Sequence, residues 1–156
     1  MPKRTLDATD HRILTALQED ARLTNVELSA RVGLSPSPCL SRVRALERDG
    51  VITRYVALVD PAAMGREISV FIQVTLDRQI GPALQDFETR ISGYDEVMEC
   101  YLMTGDSDYL LRVVVSTVSA LQRFIVEELA KLEGVATIRS SFALKQVKYK
   151  TALPSS

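Results

Sequence analysis

The sequence predicts an α+β protein with an N-terminal winged helix-turn-helix over residues 1–60 and a C-terminal ferredoxin-like βαββαβ domain over residues 68–150. Two observations lead to this prediction. Helix-capping residues recur at short intervals in the first part, and the remainder alternates between strand-like and helix-like hydrophobic periods in the split-βαβ order. Residues 61–67 interrupt these patterns with Pro, Ala and Gly, which indicates a hinge.

The first domain begins with two helices that have clear start signals. Asp7 is a good N-cap, and Asp10 lies in the first turn, where the helix dipole favours a carboxylate. The apolar stripe of this helix contains Ile13, Leu14 and Leu17. Thr24-Asn-Val-Glu27 is a capping box for a short second helix over residues 25–32, and Gly33 is predicted to end that helix in a left-handed conformation.

A third helix begins at Ser35-Pro36 and has two different faces. Ser35 is predicted to cap it, while Pro36 and Pro38 lie in the first turn, where a missing N–H is tolerated. The apolar face contains Leu40, Val43 and Leu46. The opposite face carries hydroxyl and guanidinium groups, with a further arginine on its flank: Ser37, Ser41, Arg44, Arg48 and, on the flank, Arg42.

This order of helices predicts a function. Two helices joined by a glycine turn form a helix-turn-helix, and hydroxyl and guanidinium groups on an exposed helix suit the major groove of DNA. The alternative is an ordinary helical core with a solvated charged face. The two Ser-Pro steps and the shortage of nearby acids favour DNA binding. After the third helix, Val51–Val59 is β-branched and apolar, which predicts a strand that closes the unit as a wing.

The net charge of −1 is low for a DNA-binding protein, so the charge is better considered locally. Residues 1–60 carry nine Lys/Arg and eight Asp/Glu. The predicted local positive groups are Lys3, Arg4, Arg42, Arg44, Arg48 and Arg54. Because one copy of such a module would bind DNA weakly, the DNA-binding interpretation implies at least a homodimer that places two helices about one duplex turn apart.

The second domain has the pattern of a half-buried sheet with two helices. Residues 68–76 alternate as a strand, and Gly81-Pro82 opens a helix with Leu84, Phe87 and Ile91 on one face. The remaining predicted elements are strands Val97–Met103 and Tyr109–Val115, a helix Val118–Leu132 and a strand Val135–Val147. Both helices cover one sheet face, so the other face, which is predicted to carry Phe71, Met98 and Tyr101, needs a partner such as a second sheet.

The loop between the middle strands can bind a zwitterion. Gly105 allows close backbone approach, and the loop amides with Thr104 can hydrogen-bond a carboxylate. Asp106 or Asp108 can pair with an ammonium group, so the loop fits an amino acid. The alternative is a turn without a ligand, because Gly, Asp and Ser are also ordinary turn residues.

The sequence offers few other residues that suggest catalysis, metal binding or cofactor binding. His11 is the single histidine, and we identify no cofactor site, metal site or catalytic constellation, so the chain is not predicted to be an enzyme. Cys39 and Cys100 are too few for a disulfide framework and are predicted to be packed thiols in a reducing, cytoplasmic setting. The N-terminus lacks a signal-peptide pattern, and no apolar run is long enough to span a membrane.

Four motifs give the chain a resemblance to a known family. They are Leu6-Asp-x-x-Asp10, Gly33-Leu-Ser-Pro-Ser-Pro-Cys-Leu-x-Arg-Val43, Leu46-Glu-x-x-Gly50-Val-Ile and Thr104-Gly-Asp-x-Asp-Tyr-Leu-Leu111. From about Leu6 to Lys150 the chain resembles the Lrp/AsnC family of transcription regulators. The resemblance implies a DNA-binding domain joined to a ferredoxin-like effector domain, dimers that often form octamers, and a response to amino acids.

The resemblance also implies roles for individual residues. It places Ser35, Ser37, Pro38, Ser41, Arg42 and Arg44 against DNA. Thr24 and Asn25 would lie near phosphate, through backbone amides at a helix N-terminus. It places the effector in the loop formed by Met103, Thr104, Gly105, Asp106, Ser107, Asp108 and Tyr109. Many relatives have an aromatic residue at Ser107 and a larger charged residue at Ser41.

The sequence therefore predicts a DNA-binding transcription regulator that responds to a small effector by rearranging its oligomer. Two alternatives remain open at this point. An architectural, chromatin-like DNA-binding protein would show little sequence preference and no effect of amino acids. A small enzyme would need a deep pocket with titrating groups of shifted pKa, for which the sequence gives little reason.

Overall fold

The computed structural model describes residues 5–154 and divides them into two compact units. The first unit runs to Leu58 and also includes the C-terminal segment from Val147 onward, and the second unit is Val59–Gln146. Lys3 and Arg4, which the sequence places among the local positive groups, lie outside the described residues.

The first unit contains the three predicted helices: α1 at Ala8–Glu19, α2 at Asn25–Val32 and α3 at Pro36–Arg48. The predicted caps of α1 and α2 are both full capping boxes. Asp7 Oδ1 accepts from the Asp10 amide at 2.8 Å, and Thr24 Oγ1 accepts from the Glu27 amide at 3.2 Å. Gly33 ends α2 with a φ of 73°, so the local sequence signals account for the helix bounds in this part.

The core of the first unit differs from the predicted stripe on α3. Its fully buried members are Ile13, Ala16, Leu28, Val32, Cys39 and Leu46. Leu40 is 37% exposed, because the inward face of α3 follows the spacing Cys39, Val43 and Leu46. The small Cys39 therefore takes the inward position that was predicted for Leu40.

The predicted wing strand does not form as a paired strand. Residues 53–60 have no regular secondary structure and belong to no sheet, and Tyr55, Val56 and Leu58 are exposed. A strand needs a neighbour for its backbone hydrogen bonds, and the described part of this unit offers no other strand. The C-terminal segment instead contacts α1, where Gln18 Oε1 accepts from the Leu153 amide at 2.7 Å.

The second unit confirms the predicted ferredoxin-like order. Its strands are β1 at Ile68–Leu76, β2 at Val97–Leu102, β3 at Tyr109–Val115 and β4 at Val135–Phe142, so β4 ends five residues before the predicted Val147. The described residues form an antiparallel sheet in the order β2-β3-β1-β4. Helix α4, Gly81–Ile91, contributes Phe87 and Ile91 to a core built on the alternating residues of β1 and β3.

The helix predicted over Val118–Leu132 is interrupted. Helix α5 ends at Arg123, Phe124–Glu128 forms a π-helical turn, and Leu129–Lys131 forms a 3₁₀ turn. Phe124 and Leu129 are five residues apart, and the wider π turn lets both face the core. A regular α-helix would place residues at that spacing on different faces.

The sheet face opposite the helices is mixed in character. Phe71 and Tyr101 lie on it and are exposed, as predicted, but they share it with the ion pair of Arg112 and Glu99, whose Nε and Oε1 are 2.9 Å apart. Met98 lies where the register of β2 against β3 shifts, so the alternation of the strand does not assign it to either face. Among residues 5–154, no helix is both long and apolar enough to cross a bilayer.

Candidate functional site

Helix α3 presents an exposed row that matches the predicted DNA-binding face. Ser37, Ser41, Arg44 and Arg48 are exposed at spacings of four, three and four residues, which follow one side of an α-helix. The Arg48 guanidinium contacts Asp49 at 3.0 Å, and 74% of the Arg48 side chain is exposed. Exposed ion pairs of this kind contribute only about 0–1 kcal/mol to the stability of the fold, so a DNA phosphate can replace the Asp49 carboxylate as the partner of Arg48.

The N-terminus of α3 corrects one prediction. Ser35 occupies the N-cap position, but its side chain makes no capping hydrogen bond. A cap accepts from the second or third helical amide, and here the third residue is Pro38, which has no N–H. The Ser35 and Ser37 side chains are exposed at this end of the helix, together with Pro36 and Pro38.

The two residues predicted to lie near phosphate have intrachain hydrogen bonds. The Thr24 amide donates to Glu27 Oε2 at 2.7 Å, and the Thr24 hydroxyl donates to the same oxygen at 2.8 Å. These bonds lower the pKa of Glu27, so its carboxylate is ionised at neutral pH. Asn25 Nδ2 donates to the Pro36 carbonyl at 2.8 Å and joins the start of α2 to the start of α3.

Arg42 differs from the other predicted DNA-binding residues. Its Nη1 lies 2.7 Å from Asp7 Oδ2 and 2.9 Å from Asp10 Oδ1, and its side chain is 33% exposed. Hydrogen bonds to Asp7 and then to Asp10 raise the pKa of the guanidinium. Sequence reasoning missed this ion-pair cluster because its partners are more than thirty residues apart.

The loop between β2 and β3 is exposed over its first part. Met103, Thr104, Gly105 and Asp106 are exposed, and Ser107 is partly buried. Gly105 has a φ of 115°, a conformation that L side chains rarely adopt. The tip of the loop therefore offers backbone amides, the Thr104 hydroxyl and the Asp106 carboxylate to solvent.

The second part of the same loop turns inward. Asp108 is 7% exposed, and its Oδ2 accepts from the Leu76 amide at 2.7 Å while its Oδ1 accepts from Gln79 Nε2 at 2.6 Å. The Tyr109 hydroxyl donates to Glu88 Oε1 at 2.7 Å, and its ring packs on Phe87. The structure thus separates two carboxylates that the sequence treats alike, since Asp108 is engaged within the fold and Asp106 is exposed.

The partners of this inward part leave no signal in the sequence pattern. Gln79 lies in the connection between β1 and α4, and Glu88 lies on α4. Neither residue belongs to a motif, and their contacts with Asp108 and Tyr109 arise from sheet pairing that brings the end of β1 beside the start of β3. Burial raises the pKa of Tyr109 well above its ordinary value, and the hydrogen bond to Glu88 adds to this effect.

Comparison with known families agrees with both halves of this description. Residues 6–53 match a model described as winged helix-turn-helix DNA-binding, and residues 69–153 match a model described as the Lrp/AsnC ligand binding domain. The chain belongs to the Lrp/AsnC family. It is a DNA-binding transcription regulator that responds to an effector, and the family consists of transcription regulators.

Individual relatives cover nearly the whole chain. The leucine-responsive regulatory protein of Escherichia coli K12 is 43% identical over 152 residues, which are 97% of this chain and 93% of that protein. A Neisseria meningitidis transcriptional regulator solved in complex with L-Met is 43% identical, with a TM-score of 0.92 over 96% of this chain and 97% of that one. An AsnC family regulator from Agrobacterium tumefaciens is 42% identical, with a TM-score of 0.91 over 96% and 97%.

Proposed function

We propose that this regulator binds a free amino acid at the loop Met103–Tyr109 and that binding shifts the equilibrium between assemblies of its homodimers. The proposal rests on one observation: the loop has a buried base and an exposed tip. Asp108 and Tyr109 hold its base inside the fold, while Gly105 and Asp106 remain exposed above it. A rigid base with exposed polar groups is the arrangement that a small ligand needs.

The tip of the loop carries polar groups that suit both charged ends of an amino acid. The Gly105 region and the Thr104 hydroxyl supply donors for the α-carboxylate, and Asp106 supplies a charge for the α-ammonium. Met103 is 42% exposed and offers apolar contact to an uncharged effector side chain. L-Methionine and L-leucine are the first candidates, because related proteins carry one in a solved complex and the other in their name.

The DNA-binding surface that we propose is the exposed row of α3 together with the N-terminal ends of α2 and α3. Its members are Thr24, Asn25, Ser35, Ser37, Pro38, Ser41, Arg44 and Arg48. On this surface Ser41 would face base edges, Arg44 and Arg48 would supply positive charge for phosphates, and Thr24 and Asn25 would meet phosphate at the start of α2. Because the target is DNA, we propose that the protein acts in the cytoplasm.

We also propose that copies of the chain pair through the open sheet face. Phe71 and Tyr101 are exposed there on the face that the helices leave uncovered, and a second sheet packed on that face would bury both rings. The Arg112–Glu99 pair on the same face would fix the register of two sheets, since misplaced charges are costly at an interface. Four such dimers would form the octamer, and the effector would act by changing how dimers pack.

The test measures ligand binding and assembly together. L-Methionine and L-leucine are titrated first by calorimetry, followed by the other eighteen amino acids. The mass of the assembly is followed by sedimentation velocity with and without each amino acid. Asp106→Ala is expected to abolish the amino-acid effect and to keep basal DNA binding. Asp95→Ala is the matched control, because Asp95 is an exposed carboxylate of the same unit outside the loop.

Two results would contradict the proposal. If Asp106→Ala binds and responds like the unaltered protein, the effector site lies elsewhere. If none of the twenty amino acids changes either the heat or the sedimentation coefficient, the effector is not an amino acid.

A further inference from the structure

We propose that Arg42 is a positioning residue of the DNA-binding unit: with Asp7 and Asp10 it fixes the recognition helix α3 against the N-terminus of α1 and does not itself bind DNA. The family match establishes that this unit binds DNA. It assigns no role to the ion-pair cluster. The proposal replaces the direct DNA contact that the sequence predicted for Arg42.

The geometry places one guanidinium between two helices. Asp7 is the N-cap of α1, and Asp10 is the third residue of the same helix. Arg42 lies near the middle of α3, and a single nitrogen of its guanidinium contacts both carboxylates, at 2.7 and 2.9 Å. The same two acids form the capping box of α1, so the cluster joins the start of one helix to the body of the other.

The burial of Asp10 makes its bond to Arg42 important for the stability of this unit. The Asp10 side chain is 2% exposed, whereas the Asp7 side chain is 54% exposed. A carboxylate removed from water needs charged or polar partners, and removing one partner of such a pair is strongly destabilising. Arg42 therefore stays with Asp10 unless another cation replaces it.

The surroundings of Arg42 argue against a phosphate contact. Its Nη1 is already bonded to two carboxylates, Asp7 Oδ2 at 2.7 Å and Asp10 Oδ1 at 2.9 Å. A phosphate that approached Arg42 would meet two carboxylates within 3 Å of the same nitrogen. Arg44 and Arg48 lie on the exposed row of α3, and on α3 these two are the cations that can bind the duplex.

The decisive variant is Asp7→Asn. Asn is as good an N-cap as Asp, so the start of α1 is retained while the charge that pairs with Arg42 is lost. If Arg42 positions α3, we expect Asp7→Asn to weaken binding by about threefold, the size of one partly exposed ion pair. If Arg42 contacts phosphate, the same change frees a cation and binding becomes tighter.

The probe is a duplex selected from a random 25-base-pair pool by the unaltered full-length protein, and affinity is measured as a function of salt. We expect Arg42→Ala and Asp10→Asn to weaken binding at least tenfold with an unchanged dependence of log K on log salt. Arg44→Ala is the matched control, and it should weaken binding and lower the salt slope by about 1. Arg42→Lys should restore part of the affinity, because Lys keeps the charge without the planar fork.

Circular dichroism checks that each variant is folded. If Arg42→Ala or Asp10→Asn does not fold, Asp7→Asn decides the question alone, since its side chain is largely exposed. Tighter binding by Asp7→Asn, or a salt slope that falls by about 1 in Arg42→Ala, would overturn the proposal and return Arg42 to the DNA contacts.

Discussion

Asp108→Ala should destabilise the second unit far more than Asp106→Ala, although both residues belong to one short loop. The Asp108 carboxylate accepts from the Leu76 amide at 2.7 Å inside the protein, so alanine leaves that N–H without this acceptor. A buried N–H that loses its acceptor costs about 1–3 kcal/mol. The bond from Gln79, at 2.6 Å and partly buried, adds about 1 kcal/mol. We therefore expect a loss of about 2–4 kcal/mol.

The two loop carboxylates serve as controls for each other. Asp106 is exposed, so Asp106→Ala should change the free energy of unfolding by less than about 0.5 kcal/mol. Asp108→Asn should be milder than Asp108→Ala, because the amide oxygen can still accept from the Leu76 N–H and the Gln79 amide can flip to match it. Effector binding should show the opposite order, with the greater direct loss in Asp106→Ala.

The assay is urea unfolding followed by far-ultraviolet circular dichroism, because the chain has no tryptophan for fluorescence. Free energies are compared at a common slope against urea concentration. A structural role for Asp108 is refuted if the unfolding free energies of Asp108→Ala and Asp106→Ala differ by less than about 0.5 kcal/mol, the usual range for surface substitutions. It is also refuted if Asp108→Ala keeps its stability and loses effector binding, since that pattern would make Asp108 a direct ligand contact.

Three further outcomes are expected. Tyr109→Phe should lower the free energy of unfolding by urea by about 1–2 kcal/mol, because it removes the hydrogen bond to Glu88. The pKa of Tyr109 is raised on folding, so the stability from this residue is complete below about pH 10 and is lost as the pH rises further. The unaltered protein should therefore lose more stability above about pH 10 than Tyr109→Phe does. Cys100 should react slowly with an aromatic disulfide reagent at pH 8 and faster as the pH rises towards its pKa of about 11. Partial burial of the thiol and, to a lesser degree, Glu88 raise this pKa. Cys39 is buried and should react only after unfolding. Leu46→Ala should cost about 2–5 kcal/mol by thermal unfolding and abolish DNA binding through loss of the helical core.

The features that the sequence predicts well depend on neighbouring residues. The capping box Thr24–Glu27 and the left-handed Gly33 act within one turn of backbone, so their residue types specify them directly. The alternation in β1 similarly predicts a strand with one buried face, and the structure buries Val70, Ile72 and Val74. The element order then leaves few arrangements of the sheet.

The features that the sequence does not predict depend on distant partners. The family resemblance implies a DNA contact for both Arg42 and Arg44, and the difference between them comes from Asp7 and Asp10 on another helix. The packed-thiol prediction fails for Cys100. This residue lies on an edge strand and is exposed overall, with its thiol only partly covered, because the alternation of β2 does not say how far the helices cover it. Such details need the folded chain.

The small number of cations on α3 supports our proposal that DNA binding is controlled through assembly. With Arg42 engaged by two carboxylates, the exposed row contributes Arg44 and Arg48. Two phosphate contacts give a weak, salt-sensitive interaction, whereas linking several such surfaces raises the overall affinity by about 10²–10⁴ without any new contact. In the assembly that we propose, an effector that alters the packing of dimers would change DNA occupancy more steeply than one that adds or removes a single contact, and the proposed effector site at Met103–Tyr109 would need no direct path to α3 to do so.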